Sequence, residues 1–491
     1  MKNLTKIILL LLALIAFKAN AQLQGKISSL ADTAWTLSNN SGISIEVKGD
    51  KSGYFNLNIS RLQQGIYNFG QMGEIFLAPA YKTTIDCVDK IYRIKGDGAL
   101  ENNILKDTRK RLHAFLGNSG YDVDFKYLIT EPAVFIPMLD EYVKMINIKS
   151  EKSNNKFFKD FIKSEAAFSK RYVLYAYSRF YGLDSSRMAT LRKLLSIPIA
   201  ERNENYKKDL MAAYQAQFSK RLSAEEKALL NKSIYTGWDV NDEIFYKNSN
   251  YYKTMIGYLI DHLSIQPENQ KIRDSIKSGD LIKLKVADNL INNSFIKEYF
   301  TYIYSNQAIK KAKQPADVTY IYDSFVKNSK NQKYISEITS SYQNLAATVN
   351  NAQAPDFNFI SSAGNMVSLK SLKGKYVYID IWATWCAPCI AQIPELKKLE
   401  EKYKNKNIYF VSISVDKKAQ KEDWLNFVAK NNLQGIQLMA DQDFESDFIK
   451  KFGINSIPRF ILIDTNGLIV DNNAKRPSDT ALAEQLQALK L

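Results

Sequence analysis

Hydrophobic and polar residues alternate in the first part of the chain. Apolar side chains occupy every second position of residues 55–59, and similar strand-like runs follow at residues 75–77 and 83–88. Glycine and proline separate these runs, as is typical of short strands joined by turns. The pattern predicts an all-β, sandwich-like module of antiparallel strands over residues 22–98.

From residue 99 to residue 345, apolar residues recur three and four positions apart. Residues 220–234 and 282–302 show this spacing, and Gly and Pro are sparse. The spacing indicates amphipathic helices, so we predict an α-helical middle region over residues 99–345. Tyrosine is abundant here, and aromatic side chains at helical spacing indicate core packing rather than a binding platform.

Small and polar residues at 346–354 predict a linker, after which the pattern becomes strand–helix–strand. This alternation predicts an α/β domain over residues 355–491, with a sheet covered by helices. The predicted strands are 376–382, 408–415, 436–439, 460–464 and 468–470, and the predicted helices are 386–403, 421–431, 444–452 and 481–489.

The first residues have the pattern of a secretory signal peptide, which we predict over residues 1–21. Lys2 and Lys6 supply positive charge, residues 7–17 form an apolar run, and a small-x-small sequence ends just before Gln22. The apolar run is too short to cross a bilayer, which takes about 20 residues. We therefore predict a cleaved signal, a periplasmic or cell-envelope location, and no transmembrane span in the mature chain.

Composition and charge narrow the class of protein. The chain has 491 residues, of which 45% are hydrophobic and 24% charged, so it is a multi-domain globular protein and not a mostly disordered one. The net charge of +16 raises the question of a nucleic-acid or anionic-membrane partner. The excess of Lys and Arg is spread along the chain upstream of residue 355 without a short basic block. We interpret it as a solvated surface and predict no nucleic-acid partner.

Two of the three cysteines form a Cys-x-x-Cys sequence where a predicted strand turns into a predicted helix. Unpaired N–H groups at a helix N-terminus stabilise a thiolate, so Cys386 is the predicted nucleophile. Cys389 lies one turn further on and is predicted to resolve the mixed disulfide. Cys87 alternates as a strand residue would, and we predict a buried, inert thiol.

Zinc binding is the usual alternative for a Cys-x-x-Cys sequence. A structural zinc site needs four ligands, yet the predicted domain has no further Cys and no His; the two histidines are His113 and His262. We therefore predict redox chemistry, no metal site, and no cofactor other than a redox-active Cys386–Cys389 disulfide.

Several motifs occur in a characteristic order in the last part of the chain. They are Trp-Ala-Thr-Trp-Cys386-Ala-Pro-Cys389, then Pro394, Ser456-Ile457-Pro458, and Ile461-Leu462-Ile463-Asp464-Thr-Asn-Gly467. Residues 355–491 thereby resemble thioredoxins, and more closely the exported thioredoxin-like reductases of the TlpA and ResA type. The resemblance implies a thioredoxin-like fold for these residues.

The resemblance also implies roles for individual residues. Pro458 matches the family's cis-proline, which leaves the backbone of Ile457 free to pair with an extended substrate segment. Trp385 matches the aromatic residue beside the nucleophile. Asp380 matches the buried acid, which takes the proton of Cys389. The alternative for Asp380 is a strand-end residue bonded to the backbone.

The sequence departs from the TlpA and ResA pattern at one position. Those proteins often carry Glu three residues after the second Cys, where this chain has Gln392. Asp380 alone would then accept the proton of Cys389, and a role of the protein in cytochrome c biogenesis is in doubt.

These features predict an exported thiol–disulfide oxidoreductase that reduces disulfide-containing proteins. In an oxidising compartment its electrons must come from a partner, which we expect to be a membrane thiol donor. Two alternatives stay open. One is a disulfide isomerase, and the other is a non-enzymatic binding protein whose thioredoxin-like domain is redox-inert.

Overall fold

A computed structural model of the chain describes residues 21–31, 33–88, 91–117, 123–195, 197, 205–489 and 491. The predicted signal peptide lies outside the described residues, apart from Ala21. The chain divides into two compact units. The first extends to Leu195 and continues over Lys207–Pro267 and Asn289–Ile296, and the second includes Glu268–Asp288 and Lys297–Leu491. The second unit thus joins the last helices of the middle region to the C-terminal domain.

The N-terminal region forms two four-stranded sheets, ordered β4-β1-β7-β8 and β3-β2-β5-β6. Leu23, Phe55, Tyr67, Phe69 and Leu77 are among the side chains of their shared hydrophobic core. The strands are β1 (Gln22–Lys26), β2 (Trp35–Ser38), β3 (Ser44–Val47), β4 (Tyr54–Asn58), β5 (Gly65–Phe69), β6 (Gly73–Leu77), β7 (Lys82–Val88) and β8 (Ile91–Gly96).

The expectation of purely antiparallel strands is wrong at one pair. Strand β1 pairs with β4 in the antiparallel sense but with β7 in the parallel sense, with Leu23 opposite Thr83. A parallel pair needs a long connection, and the strands between β1 and β7 provide it. Sequence alternation cannot distinguish the two senses, because both expose side chains with a period of two.

The middle region is helical, as predicted. Its helices are α1 (Ala99–His113), α2 (Phe125–Leu128), α3 (Pro132–Ser150), α4 (Lys156–Phe180), α5 (Ala189–Leu195), α6 (Tyr206–Ala216), α7 (Ala224–Tyr235), α8 (Glu243–Asn248), α9 (Asn250–Ser264), α10 (Gln270–Ser275), α11 (Gly279–Leu290), α12 (Ser294–Lys311), α13 (Thr319–Asn328) and α14 (Gln332–Ala347). No helix among the described residues has both the length and the apolar character needed to cross a membrane.

Two of the predicted helical segments have different bounds. Helix α7 begins at Ala224 rather than residue 220, because the Ser223 hydroxyl accepts a hydrogen bond from the N–H of Glu226 and caps the helix. The predicted helix at 282–302 is two helices, α11 and α12. Asn293 interrupts it, since its side chain accepts a hydrogen bond from the N–H of Ile296 in the first turn of α12.

The C-terminal domain contains a seven-stranded sheet ordered β10-β9-β13-β12-β11-β14-β15. Strands β11, β12 and β13 are parallel, and β14 runs antiparallel to β11. Two hydrophobic clusters, one containing Ile379 and Ile381 and the other containing Tyr378, draw on alternate residues of β11 and so cover opposite faces of the sheet. The predicted α/β architecture is confirmed. The strands are β9 (Asn358–Ser361), β10 (Met366–Ser368), β11 (Tyr376–Trp382), β12 (Ile408–Ser414), β13 (Ile436–Met439), β14 (Arg459–Ile463) and β15 (Ile469–Asp471).

The helices of this domain are α15 (Ala387–Ile390), α16 (Ile393–Lys402), α17 (Lys421–Lys430), α18 (Asp447–Lys451) and α19 (Thr480–Ala488). The single helix predicted at 386–403 is therefore wrong. The chain breaks between α15 and α16, because Pro394 lacks an N–H and its ring clashes with a preceding helical turn. The predicted helix at 444–452 is likewise a 3₁₀ turn at Asp443–Glu445 followed by α18.

The residues predicted as a linker are bonded to the C-terminal domain. The N–H of Asn351 donates to the carbonyl of Ile469 at 2.7 Å, and the N–H of Ala354 donates to Gly467 at 2.9 Å. Ala354 is buried in the core of the domain. This segment therefore packs along the β14–β15 hairpin.

Candidate active site

The two cysteines lie where β11 ends and the chain turns into α15. Cys386 is the N-cap of α15, Cys389 lies within it, and the two sulfurs form a disulfide bond. The side chains are 5% and 2% exposed. The backbone N–H of Cys389 donates to the sulfur of Cys386 at 3.2 Å. Because α15 has only four residues, its local N–H groups rather than a long helix dipole act on this sulfur.

A buried carboxylate outside the cysteine motif positions the turn before Cys386. Asp416, which is fully buried, follows β12 and accepts hydrogen bonds from the N–H and the hydroxyl of Thr384 at 2.9 and 2.8 Å. It also accepts a hydrogen bond from the Ser414 hydroxyl at 2.6 Å. Asp416 was not predicted from the sequence. Its position at the carboxyl end of a strand, where the parallel neighbour β11 also ends, was the available signal.

The Ile457–Pro458 peptide bond is cis and directly precedes β14. Arg459 pairs with Ile381 in the antiparallel register of β14 and β11, so the loop before it lies at the end of the sheet where β11 leads to the cysteines. The backbone of Ile457 makes no hydrogen bond within the described part of the chain. Trp385, adjacent to Cys386, is 57% exposed. Sequence-predicted residues from two distant segments therefore lie at the same end of the sheet.

Asp380 is buried in the middle of β11, and no side-chain hydrogen bond to it is found among the described residues. The alternative, in which the Asp380 carboxylate is hydrogen-bonded to the backbone, is therefore not observed. Burial raises the pKa of Asp380 to about 8, and the nearby charge of Glu400 contributes to the increase. Burial also raises the pKa of Glu400 to about 7, opposed by Lys397.

Asp380 and Glu400 line the same small cavity, together with Trp382 and Lys397. The cavity has a volume of about 10 Å³, the space of one water molecule. Glu400 was not predicted from the sequence, because it lies on α16 among surface charges and only the tertiary fold turns it toward β11. Two carboxyl groups that titrate near neutral pH can exchange a proton at this place.

Gln392 does not line this cavity. It is buried, and its side-chain oxygen accepts a hydrogen bond from the N–H of Ser478 at 3.1 Å. The residue therefore connects the break between α15 and α16 to the segment before α19.

Two further candidates for a functional site are the third cysteine and a metal-binding cluster. Cys87 lies in β7 as a free thiol and is half-buried rather than buried as predicted. In the described ranges of the chain, no group of three or more His, Cys, Asp or Glu side chains is arranged to hold a metal ion.

Comparison with known proteins identifies the C-terminal domain. The sequence model of the Redoxin family matches residues 349–487. The thiol-disulfide oxidoreductase ResA of Bacillus anthracis is 33% identical over 121 residues, which are 24% of this chain and 66% of that relative. ResA of Bacillus thuringiensis subsp. konkukian is 30% identical over 139 residues, 28% of this chain and 76% of the relative. A solution structure of a thiol-disulfide oxidoreductase from Bacteroides vulgatus is 49% identical; the match covers 28% of this chain and 90% of that one, with a TM-score of 0.26.

The fold and the cysteine pair define the C-terminal domain as a thioredoxin-like thiol–disulfide oxidoreductase domain. Through its C-terminal domain, the chain belongs to the ResA-type thiol–disulfide oxidoreductases. The Redoxin match begins at residue 349, and the two named ResA relatives match 24% and 28% of the chain.

Proposed function

We propose that the protein is exported and reduces disulfide bonds in other proteins. The thiolate of Cys386 attacks a substrate disulfide, forms a mixed disulfide, and releases one substrate thiolate, which takes up a proton. The thiolate of Cys389 then attacks the sulfur of Cys386, releasing the second substrate thiol. The substrate gains two electrons and two protons, and the enzyme is left with the Cys386–Cys389 disulfide. The disulfide seen between these two cysteines is the main observation that supports the proposal.

The assignment of Cys386 as nucleophile is supported by the hydrogen bond that its sulfur accepts from the N–H of Cys389. A hydrogen bond to the charged form stabilises a thiolate and lowers its pKa. Cys389 is the more buried of the two and lies within the helix, so it is suited to resolution rather than to the first attack.

The second step requires that the buried Cys389 loses its proton. Asp380 is the proposed acceptor, because its pKa of about 8 allows it to be charged in part of the molecules at neutral pH. Glu400 lies across the small cavity and is half-buried, so it provides a route for that proton toward solvent.

Trp385, Ile457 and Pro458 are the proposed substrate-binding residues. The unpaired backbone of Ile457 offers an N–H and a carbonyl to an extended substrate segment, as in the addition of a strand to a sheet edge. The exposed ring of Trp385 provides an apolar surface beside the reacting sulfur. To return to the dithiol state, the enzyme needs two electrons from a thiol donor, which we propose to be a membrane protein.

The full chain tests this proposal in an insulin-reduction assay with dithiothreitol as donor. Wild type is expected to accelerate the precipitation of insulin chains, and Cys386→Ser and Cys389→Ser are expected to abolish the acceleration. Cys87→Ser is the matched control and should retain wild-type activity. Cys389→Ala should accumulate mixed disulfides at Cys386. A wild-type chain without activity would instead favour a redox-inert binding protein.

A further inference from the structure

A cleft of about 690 Å³ lies within the second unit, between helices of the middle region and the C-terminal domain. Helices α12 and α14 form one wall, and the segment from the 3₁₀ turn at Asp443–Glu445 to the start of β14 forms the other. Asn344 on α14 donates to the carbonyl of Lys450 on α18 at 3.1 Å and so connects the two walls.

The wall formed by α14 presents small polar side chains. Ser336, Ser340 and Asn344 line the cleft and lie four residues apart, so they form one row along the helix. The eight residue-to-residue steps from Ser336 to Asn344 span about 12 Å of helix. An extended polypeptide covers that length with three or four residues. Hydroxyl and amide groups in such a row can hydrogen-bond with the backbone of an extended chain.

The opposite wall is continuous with the cis-proline loop. Asn455, two residues before Ile457, and Arg459, directly after Pro458, both line the cleft. Asn455 is exposed, and the guanidinium of Arg459 is held by two hydrogen bonds to the carbonyl of Asn472. A chain that pairs with the backbone of Ile457 can therefore continue directly into the cleft.

A buried amide on α12 also borders the cleft without a complete set of partners. Asn306 is 8% exposed, and its side-chain oxygen has no hydrogen-bond partner in the described part of the chain. A buried carbonyl oxygen without a partner is costly, and a donor from a bound chain would offset that cost. Phe444, Phe452 and Ile454 contribute apolar surface to the lining.

We propose that this cleft binds three or four residues of the substrate polypeptide that flank the cysteine bound to Cys386. The proposal rests on the proposed function and extends it, because it gives the middle region a part in substrate selection. The occupant is an extended segment with its backbone exposed, because the lining combines hydrogen-bonding side chains with a few apolar ones. Charges of both signs also line the cleft: Lys450 and Arg459 are positive, and Glu337 and Glu445 are negative.

Mixed disulfides of 2-nitro-5-thiobenzoate with cysteine compounds separate chemistry from binding, because each releases the same coloured thiolate. The short probe is N-acetyl-cysteinamide, and the long probes carry four Ser, Asn or Ala residues on the N-terminal or C-terminal side of the cysteine. Pre-reduced full chain is mixed with each probe, and the second-order rate constant of a single turnover is measured. One long probe is expected to react about tenfold faster than the short probe, from one or two added hydrogen bonds.

Ser340→Trp tests the location, because a large ring would fill the cleft from an exposed position on α14. We expect it to remove the preference for the long probe and to leave the short probe unchanged. Gln343→Trp places the same ring at an exposed α14 position outside the cleft lining and is the matched control. Ser336→Trp provides a second variant in the cleft.

Equal rates of the long and short probes with wild type would overturn the proposal. So would a preference that survives both Ser340→Trp and Ser336→Trp, or a loss that Gln343→Trp shares. A chain that reacts with neither probe would refute the proposed reductase itself, which distinguishes that failure from a failure of the cleft.

Discussion

Replacing Asp380 by Asn should make the protein more stable and a slower enzyme. Asp380 is buried in β11, and its pKa is raised to about 8 from 3.8. Below pH 3.8, an acid whose pKa is raised in the folded state is protonated in both the folded and the unfolded chain, so it does not lower the free energy of unfolding. Between 3.8 and 8 the unfolded chain loses a proton that the folded chain keeps, so the folded state is destabilised progressively as pH rises. The amide introduced by Asp380→Asn does not titrate, so the variant escapes this loss.

The magnitude follows from the shift. Each pKa unit corresponds to about 1.4 kcal/mol, so the stability advantage of Asp380→Asn should widen by roughly 3.5 kcal/mol between pH 5 and pH 8. This figure is an upper value, because the cavity beside Asp380 has room for one water molecule that can solvate its charge. The advantage should persist at higher pH with little further growth.

Urea unfolding of the oxidised fragment 349–491 at pH 5, 6, 7 and 8 measures the difference in free energy of unfolding between Asp380→Asn and wild type. Asp441→Asn is the control, because it removes a charge from an exposed position. Single-turnover kinetics with a disulfide peptide measure the cost in activity. Without an acceptor for the proton of Cys389, the second step should slow about 100-fold near neutral pH, while the first attack stays unchanged.

If the difference in free energy of unfolding between wild type and Asp380→Asn stayed constant from pH 5 to pH 8, the reasoning would be refuted, because Asp380 would then titrate alike in the folded and unfolded chains. A second step of unchanged rate would show that the proton of Cys389 goes directly to solvent.

Three further predictions concern the surroundings of the site. Glu400→Gln removes a negative charge and should lower the pKa of Asp380, so the pH at which the second step reaches half its maximal rate should fall; an unchanged pH profile would separate the two carboxyl groups. Asp416→Ala leaves the half-buried donors of Thr384 unpaired and should lower the free energy of unfolding in urea by about 2–4 kcal/mol, with Asp416→Asn retaining part of the stability. The fragment of residues 355–491 should have a free energy of unfolding in urea roughly 1–3 kcal/mol lower than that of residues 349–491, because the shorter fragment lacks the bonds to Gly467 and Ile469.

Some features of the site follow from residues that are close together in the chain. A buried strand, a turn and a cysteine at a helix start occur within about ten residues, so the position of Cys386 was predictable. The break at Pro394 is also encoded locally, because a proline cannot continue a helix from the residues before it, although the apolar spacing of residues 386–403 alone predicts a continuous helix. In the N-terminal region, the alternating pattern predicted strands correctly but left the parallel pairing of β1 with β7 undetermined.

What the sequence determined by itself is the local chemistry: the Cys386–Cys389 pair, the proline at 458, and strands and helices set by hydrophobic periodicity. Only the tertiary structure brought Glu400 to Asp380, Asp416 to Thr384, and α14 to the loop before Pro458. These pairs are 20, 32 and more than 100 residues apart in the chain. Their contacts depend on the order of strands in the sheet and on how helices pack against it, and neither leaves a periodic signal in the sequence.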